Sequence, residues 1–272
     1  MAGDMVYERT GEIEWLRFVS LEHLGPFRAF FTSRSGGVSP APFESLNLGF
    51  GTKDDPELVR QNRYLAYAAM GLDHRRAVGA IQTHGDHVAY VTGADAGSGS
   101  LSLFSGLKGY DVLTTATPDL TLTMTHGDCA PIYLVDPRRR AVSLVHAGWQ
   151  GTLAKVAATA VRSLQERWRT DPADVYAVIG PSIGPCCYQV GELVWEAAKP
   201  LGESVAIRED GPDHWRLDLW ETNRRLLREA GVPEEQIMVS GICTACNQDR
   251  FYSHRGSGGK TGRNLALLRI EP

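Results

Sequence analysis

The chain lacks any run of 18 or more apolar residues, which leaves no segment to span a membrane as a helix. Its opening stretch, MAGDMVYERTGEIEW, carries acids where a secretory signal needs an apolar core, so a cytoplasmic location is expected. Cysteine is scarce and odd in number, five residues at 129, 186, 187, 243 and 246. That count reads as free thiols or metal ligands, not as a disulfide framework. Excess positive charge is also missing. The formal net charge is −4, which argues against a nucleic-acid partner, although a few local arginines suffice for a small anion. None of the eight histidines stands in a His-x-His pair, so the ligands of a trinuclear copper cluster are not there. The glycine-rich HRGSGGKTGR lacks the G-x-x-x-x-G-K-[ST] spacing of a phosphate-binding P-loop.

What is present is enough apolar material for one large core or two smaller ones, 43% of 272 residues. With no internal repeat and no long linker, residues 1–272 read as a single domain. DDPELVRQNRYLAYAAMG reads as a helix, with Asp55 as N-cap, Pro56 in the first turn and Gly71 past the end. GTLAKVAATAVRSLQERW reads as a second helix, because Leu153, Val156, Ala160, Leu164 and Trp168 recur at helical spacing. VGELVWEAA and LDLWETNRRLLREAG supply two more. Apolar runs of strand length lie between them: HVAYVTG, LTLTMT, PIYLVD, AVSLVH, VYAVIG and QIMVSG. Clustered strands with interspersed helices, without strict alternation, predict an α+β fold: a mixed β-sheet sandwich with flanking helices.

Two segments carry the chemistry. GDCAPIYLVDP and SLVHAGWQGT bring Cys129 and His146 to the ends of short apolar strands, and QTHGDHV offers His84 in the same way. Taken singly, each histidine is more often a hydrogen-bonded core residue. Together, a thiolate and two imidazoles suit zinc, and three protein ligands leave a fourth position open, as catalytic sites do. The turn DPRRR between the two strands predicts a hairpin that delivers Cys129 and His146 to one sheet edge. Strand alternation would place Asp128, His87 and His126 away from that edge, with Asp128 a partner to a ligand or a turn residue and His126 an extra polar group near the mouth. Cys243 and Cys246 form one C-x-x-C, weak evidence for a metal without a second pair, and Cys186 and Cys187 read as packing thiols in a turn.

The order QTHG, GDCAP, HAGWQGT, GPSIGPCCYQVGE, CT and FYSHRGSGGKTGRNLAL resembles the purine nucleoside phosphorylase and laccase-domain family, from near residue 32 to near residue 268. Bacterial members also go under multicopper polyphenol oxidase and peptidoglycan-editing factor. The resemblance implies a sheet-based core and an enzyme of purine nucleosides. Its reactions would be phosphorolysis of adenosine, inosine, guanosine and methylthioadenosine, with phosphate as co-substrate, and deamination of adenosine. It implies zinc at His84, Cys129 and His146, with copper less favoured. It also implies substrate contacts at Ser45, Asn47, Gln82 and Arg255, although Ser45 and Asn47 are by themselves ordinary turn residues and Arg255 sits in what reads equally as a solvated loop. His126 and Gln150 depart from the family pattern, and Gln150 puts phosphorolysis most in question. A second reading makes Cys129 a nucleophile with His146 as its base, in an editing hydrolase acting on nucleotide-linked muramyl precursors. Copper-dependent phenol oxidation is third, and a zinc-stabilised binding protein without turnover is the non-enzymatic alternative.

Overall fold

Ala130–Asp136 and Ala141–Ala147 are buried at every position, which a strand achieves only when both faces of its sheet are covered. A computed structural model describes residues 4–272 and shows how; the first three residues of the acidic N-terminal stretch lie outside it. One sheet has seven strands, in the order Val6–Thr10, Ile13–Arg17, Phe27–Thr32, Asn264–Ile270, Thr121–His126, Ala77–Ile81 and Leu107–Lys108. The other has six, in the order Ile237–Val239, Tyr176–Ile179, Ala130–Asp136, Ala141–Ala147, Val112–Thr115 and Val88–Tyr90. Both mix parallel and antiparallel pairs. A small third sheet joins Gln189–Val190, Trp215–Leu217 and Ile207–Glu209.

The two large sheets face each other. Phe27, Phe31, Leu122, Met124 and Leu268 of the first meet Tyr133, Val135, Val142 and Leu144 of the second in one core. On the outside of the six-stranded sheet, Ile132, Leu134, Val145 and Ala147 pack against the helices Val156–Trp168 and Leu219–Glu229. The helix Pro56–Ala69 covers the other sheet through Ala66 and Tyr67 against Phe30, Leu265 and Leu267. The expected sandwich with flanking helices is therefore a helix–sheet–sheet–helix stack. Among the described residues, no helix is long and apolar enough to cross a membrane.

Local sequence explains most boundaries. Asp55 caps its helix by accepting a hydrogen bond from the Glu57 N–H at 2.8 Å, with Pro56 at the first position. Asp218 does the same for Leu219–Glu229 through the Glu221 N–H. The hairpin predicted at DPRRR forms, in the register Ala130 opposite Ala147, and the Asp136 carboxylate accepts from the Arg138 and Arg139 N–H groups in its turn. The helix expected over GTLAKVAATAVRSLQERW is in fact two, Trp149–Leu153 and Val156–Trp168, because Lys155 takes a left-handed conformation (φ 60°) between them. The short helix stays against the ligand loops while the long one turns onto the sheet.

Candidate metal centre and pocket

Face alternation decides which side chains meet. On Ala141–Ala147, Val142 and Leu144 point between the sheets, so His146, two residues on, does too. Cys129 stands one residue before the partner strand, where His146 lies opposite Pro131. His84 is not on a strand. It sits in the loop that leaves Ala77–Ile81, with φ 62°, a conformation that costs a non-glycine residue free energy unless the surroundings enforce it. The three side chains each bring one ligand atom to within 4.8 Å of the others.

Asp111 enforces the His84 loop, and sequence reasoning missed it. Fully buried before the strand Val112–Thr115, its carboxylate accepts from the backbone N–H groups of Thr83, His84 and Gly85 at 3.0, 3.1 and 2.8 Å. The same group takes the Nδ1–H of His146 at 2.8 Å. Nδ1 being committed to Asp111, Nε2 is the atom His146 has left for a ligand. Gly148 completes the packing, since a Cβ there would lie 2.9 Å from Cys129 Sγ and 3.0 Å from a His84 ring carbon.

These contacts set the protonation states of the metal-free cluster. Burial opposes charge on Cys129, but His146 and then His84 overcome it and bring the thiol down to about 6. Burial likewise opposes charge on His146, yet Cys129 and Asp111 raise it to about 9. Asp111, against its own desolvation, is held at about 2 by His146 and the loop amides. Thiolate, imidazolium and carboxylate thus form a charged row at neutral pH. Replacing the imidazolium proton on the Cys129 side with a soft or borderline cation preserves that attraction, so the donor set fits a zinc or copper ion.

The cluster lines a cavity of about 560 Å³, a volume suited to a small molecule. Apolar and aromatic walls come from Phe50, Ile81, Leu103, Met124, Trp149 and Tyr188. Three guanidinium groups, Arg63, Arg255 and Arg263, also line it. Arg63 is buried and spends its donors on the carbonyls of Leu48, Gly99 and Ser100, while Arg263 donates to Thr261 and Gly262 carbonyls. Among the described residues, none of the three forms an ion pair with a carboxylate. The wall therefore carries guanidinium groups held by carbonyls, with the Asp128 carboxylate and Cys129 as the negative groups that act on Arg263.

The residues expected to touch substrate separate into two groups. Gln82 and Arg255 line the cavity, though Gln82 is tied to Thr125 by its amide and carbonyl. Ser45 and Asn47 do not line it. Asn47 is fully buried behind the wall, bonded to Asp54 and Thr52 and accepting from the Arg263 N–H at 2.9 Å, and the Ser45 hydroxyl accepts from the Gly37 N–H. His126 is not at the mouth. It is buried between the sheets, 5.2 Å ring to ring from His146, with Nδ1 on the Cys129 carbonyl and Nε2 without a partner. Alternation misplaced it because the chain leaves one sheet at His126 and enters the other at Ala130, with Asp128 at φ 89° between. Parity does not carry across such a crossing. Asp128 itself ties two loops to the wall, accepting from the Thr244 hydroxyl at 2.7 Å and the Arg255 N–H at 2.6 Å. Gln150 is exposed and outside the cavity lining.

Residues 28–271 match the family described as multi-copper polyphenol oxidoreductase laccase. The chain is 38% identical over 243 residues to a protein of Bacillus subtilis named purine nucleoside phosphorylase YlmD, covering 88% of this chain and 87% of that one. Its fold superposes on the crystal structure of YlmD from Geobacillus stearothermophilus with a TM-score of 0.93 at 37% identity, over 98% of this chain and all of the other. A Bacillus licheniformis hypothetical protein YfiH superposes with a TM-score of 0.92, also at 37% identity, over 97% and 99% of the two chains.

Proposed function

Since the chain belongs to the multi-copper polyphenol oxidoreductase laccase family, with relatives named for purine nucleoside phosphorolysis, we propose that it is a metal-dependent purine nucleoside enzyme. It cleaves adenosine, inosine, guanosine and methylthioadenosine with phosphate and deaminates adenosine. The observation that carries this is that the His84, Cys129 and His146 cluster lines the same cavity as three guanidinium groups, none of them in a direct ion pair with a carboxylate among the described residues. A nucleoside needs apolar walls for the base, and phosphate needs fixed cations.

His84, Cys129 and His146 would hold the metal, and zinc is the better match because no His-x-His pair is available for a copper cluster. Zinc bound there supplies a Lewis acid beside the pocket. The chain's own groups do the rest. Arg255 and Arg263 orient phosphate, Asp111 fixes His146 through Nδ1, and Gln82 holds the end of the strand that carries Thr125 against the pocket floor. Asn47 acts from behind, through the backbone of Arg263, and Ser45 supports the adjoining loop. In phosphorolysis an oxygen of phosphate bonds to C1′ of the ribose while the N-glycosidic bond breaks. Its electron pair leaves on the purine, which takes up a proton, and ribose 1-phosphate is formed.

The hydrogen-bonded row Cys129, His146 and Asp111 also fits a second reading. The inverted protonation of Cys129 and His146 is that of a ready nucleophile and its acid. Product analysis separates the two. Adenosine and inosine are incubated with and without phosphate, using protein of measured metal content and its Cys129→Ala variant. Free base and ribose 1-phosphate that appear only with phosphate, and are lost in the variant with its pocket metal, support phosphorolysis. Inosine formed from adenosine without phosphate supports deamination. Nucleosides left intact by metal-loaded protein would sink the proposal and direct attention to hydrolysis of muramyl precursors by a metal-free thiolate.

A further inference from the structure

Four of the five cysteines take no part in the pocket, yet they meet. Cys186 and Cys187 come from the turn after the strand Tyr176–Ile179, and Cys243 and Cys246 from the loop after Ile237–Val239. Those two strands are parallel neighbours, and a bridge between Ser182 and Cys243 extends their pairing past the strand ends. The C-x-x-C therefore acquires the second pair that the sequence did not show. The four sulfurs all lie within 4.8 Å of one another.

From this arrangement we infer a second metal site, in which Cys186, Cys187, Cys243 and Cys246 bind one zinc-class divalent cation as four thiolates. The spacing is that of a coordination shell. Cys186 and Cys187 lie 3.6 and 3.4 Å from Cys246 Sγ, beyond the ~2.05 Å of a disulfide and close to the ~3.8 Å edge of a tetrahedron with Zn–S bonds of ~2.3 Å. Cys243 Sγ already accepts a hydrogen bond from the Gly184 N–H at 3.2 Å, a contact that stabilises thiolate charge. Cys243 is buried and Cys186 and Cys246 are exposed, so the site opens at the surface. Four protein ligands fill a tetrahedral shell, which makes the site structural and leaves no position for substrate.

The cation pins together two loops, one that lines the pocket and one that braces it from behind. Tyr188 follows Cys187 directly and lines the cavity, and Arg255 packs over its ring at 5.2 Å. Thr244, between the paired cysteines, donates to Asp128 beside Cys129. The site thus shapes the pocket without touching the reacting atoms.

The test counts metal in protein purified anaerobically without chelator and dialysed against excess zinc. It uses wild type, Cys129→Ala, and the Cys186→Ser/Cys246→Ser double variant at the two exposed ligands. The expectation is about one zinc retained in Cys129→Ala, with a first shell of sulfur alone at ~2.3 Å by X-ray absorption, and loss of that zinc in the double variant. Failure of the double variant to fold does not remove the test, because the zinc content and cobalt substitution of Cys129→Ala read the site directly. Cobalt there gives intense thiolate-to-metal charge-transfer bands and tetrahedral ligand-field bands. Absence of zinc from Cys129→Ala while the wild type holds it overturns the four-thiol site and leaves the pocket site standing. Equal zinc in both proteins, all bound to sulfur, overturns the pocket site instead.

Discussion

Replacing Asp111 by Asn keeps the shape of the side chain and removes its charge, which makes it a sharp probe of how the metal cluster is built. The carboxylate serves four backbone and side-chain donors from Thr83, His84 and Gly85 and a fifth from His146. An amide has one oxygen to offer, and its NH₂ group must face either the loop amides or the His146 Nδ1–H. A carboxyl held near 2 in the folded chain contributes roughly 2–3 kcal/mol through protonation linkage. Breaking a buried charge pair costs roughly 3–5 kcal/mol, so a loss of a few kcal/mol in unfolding free energy is expected. The linkage sign follows from a depressed carboxylate. The contribution is in full force above the unfolded-state range and fades as pH falls toward 2, so wild type and variant should converge in acid. Zinc affinity of the pocket site, measured by chelator competition, is expected to drop roughly 10- to 100-fold, as for other groups that orient a ligating histidine. Unchanged zinc affinity together with unchanged stability at neutral pH would refute the reasoning.

Three further outcomes follow from the same geometry. In metal-free protein, alkylation of Cys129 by iodoacetamide should rise with pH around a midpoint near 6, and Asp111→Asn should move that midpoint upward by weakening the neighbouring imidazolium; a midpoint at the ordinary thiol value would contradict the charged row. Gly148→Ala, at φ −76° where alanine is otherwise comfortable, should weaken zinc binding by roughly tenfold through its contacts with Cys129 and His84, with the far-ultraviolet circular dichroism unchanged; full affinity would show that the ligands yield freely. Arg263→Met should raise the KM for phosphate by roughly tenfold or more, the worth of one charge-assisted contact, and leave the KM for inosine nearly constant; equal change in both would assign Arg263 to the nucleoside.

The hairpin was readable because its signals are local: two apolar runs, a DPRRR turn and ligands at matching ends. The same is true of the Asp55 and Asp218 caps. Asp111 was not readable, since its partners stand 26 to 35 residues away and nothing in KGYDV marks a buried acid. His126 was misplaced because alternation holds within one sheet and the chain changes sheets after it. Lys155 breaks a helix that apolar spacing alone runs straight through, as that spacing does not register a left-handed residue. The four-cysteine cluster depends on parallel pairing of strands some 60 residues apart, a long-range event invisible to motif spacing.

The candidate ligands His84 and Cys129 both stand where the chain passes from one large sheet to the other, His84 between Ala77–Ile81 and Val88–Tyr90, Cys129 between Thr121–His126 and Ala130–Asp136. A cation shared by them would be a rivet through the seam of the sandwich. Its geometry would be set by the offset of one layer against the other, so a slip between layers would loosen the metal before a single strand had melted. Conversely, an occupied site would resist that slip, and the rigidity of the whole stack would become a property that metal supply could tune.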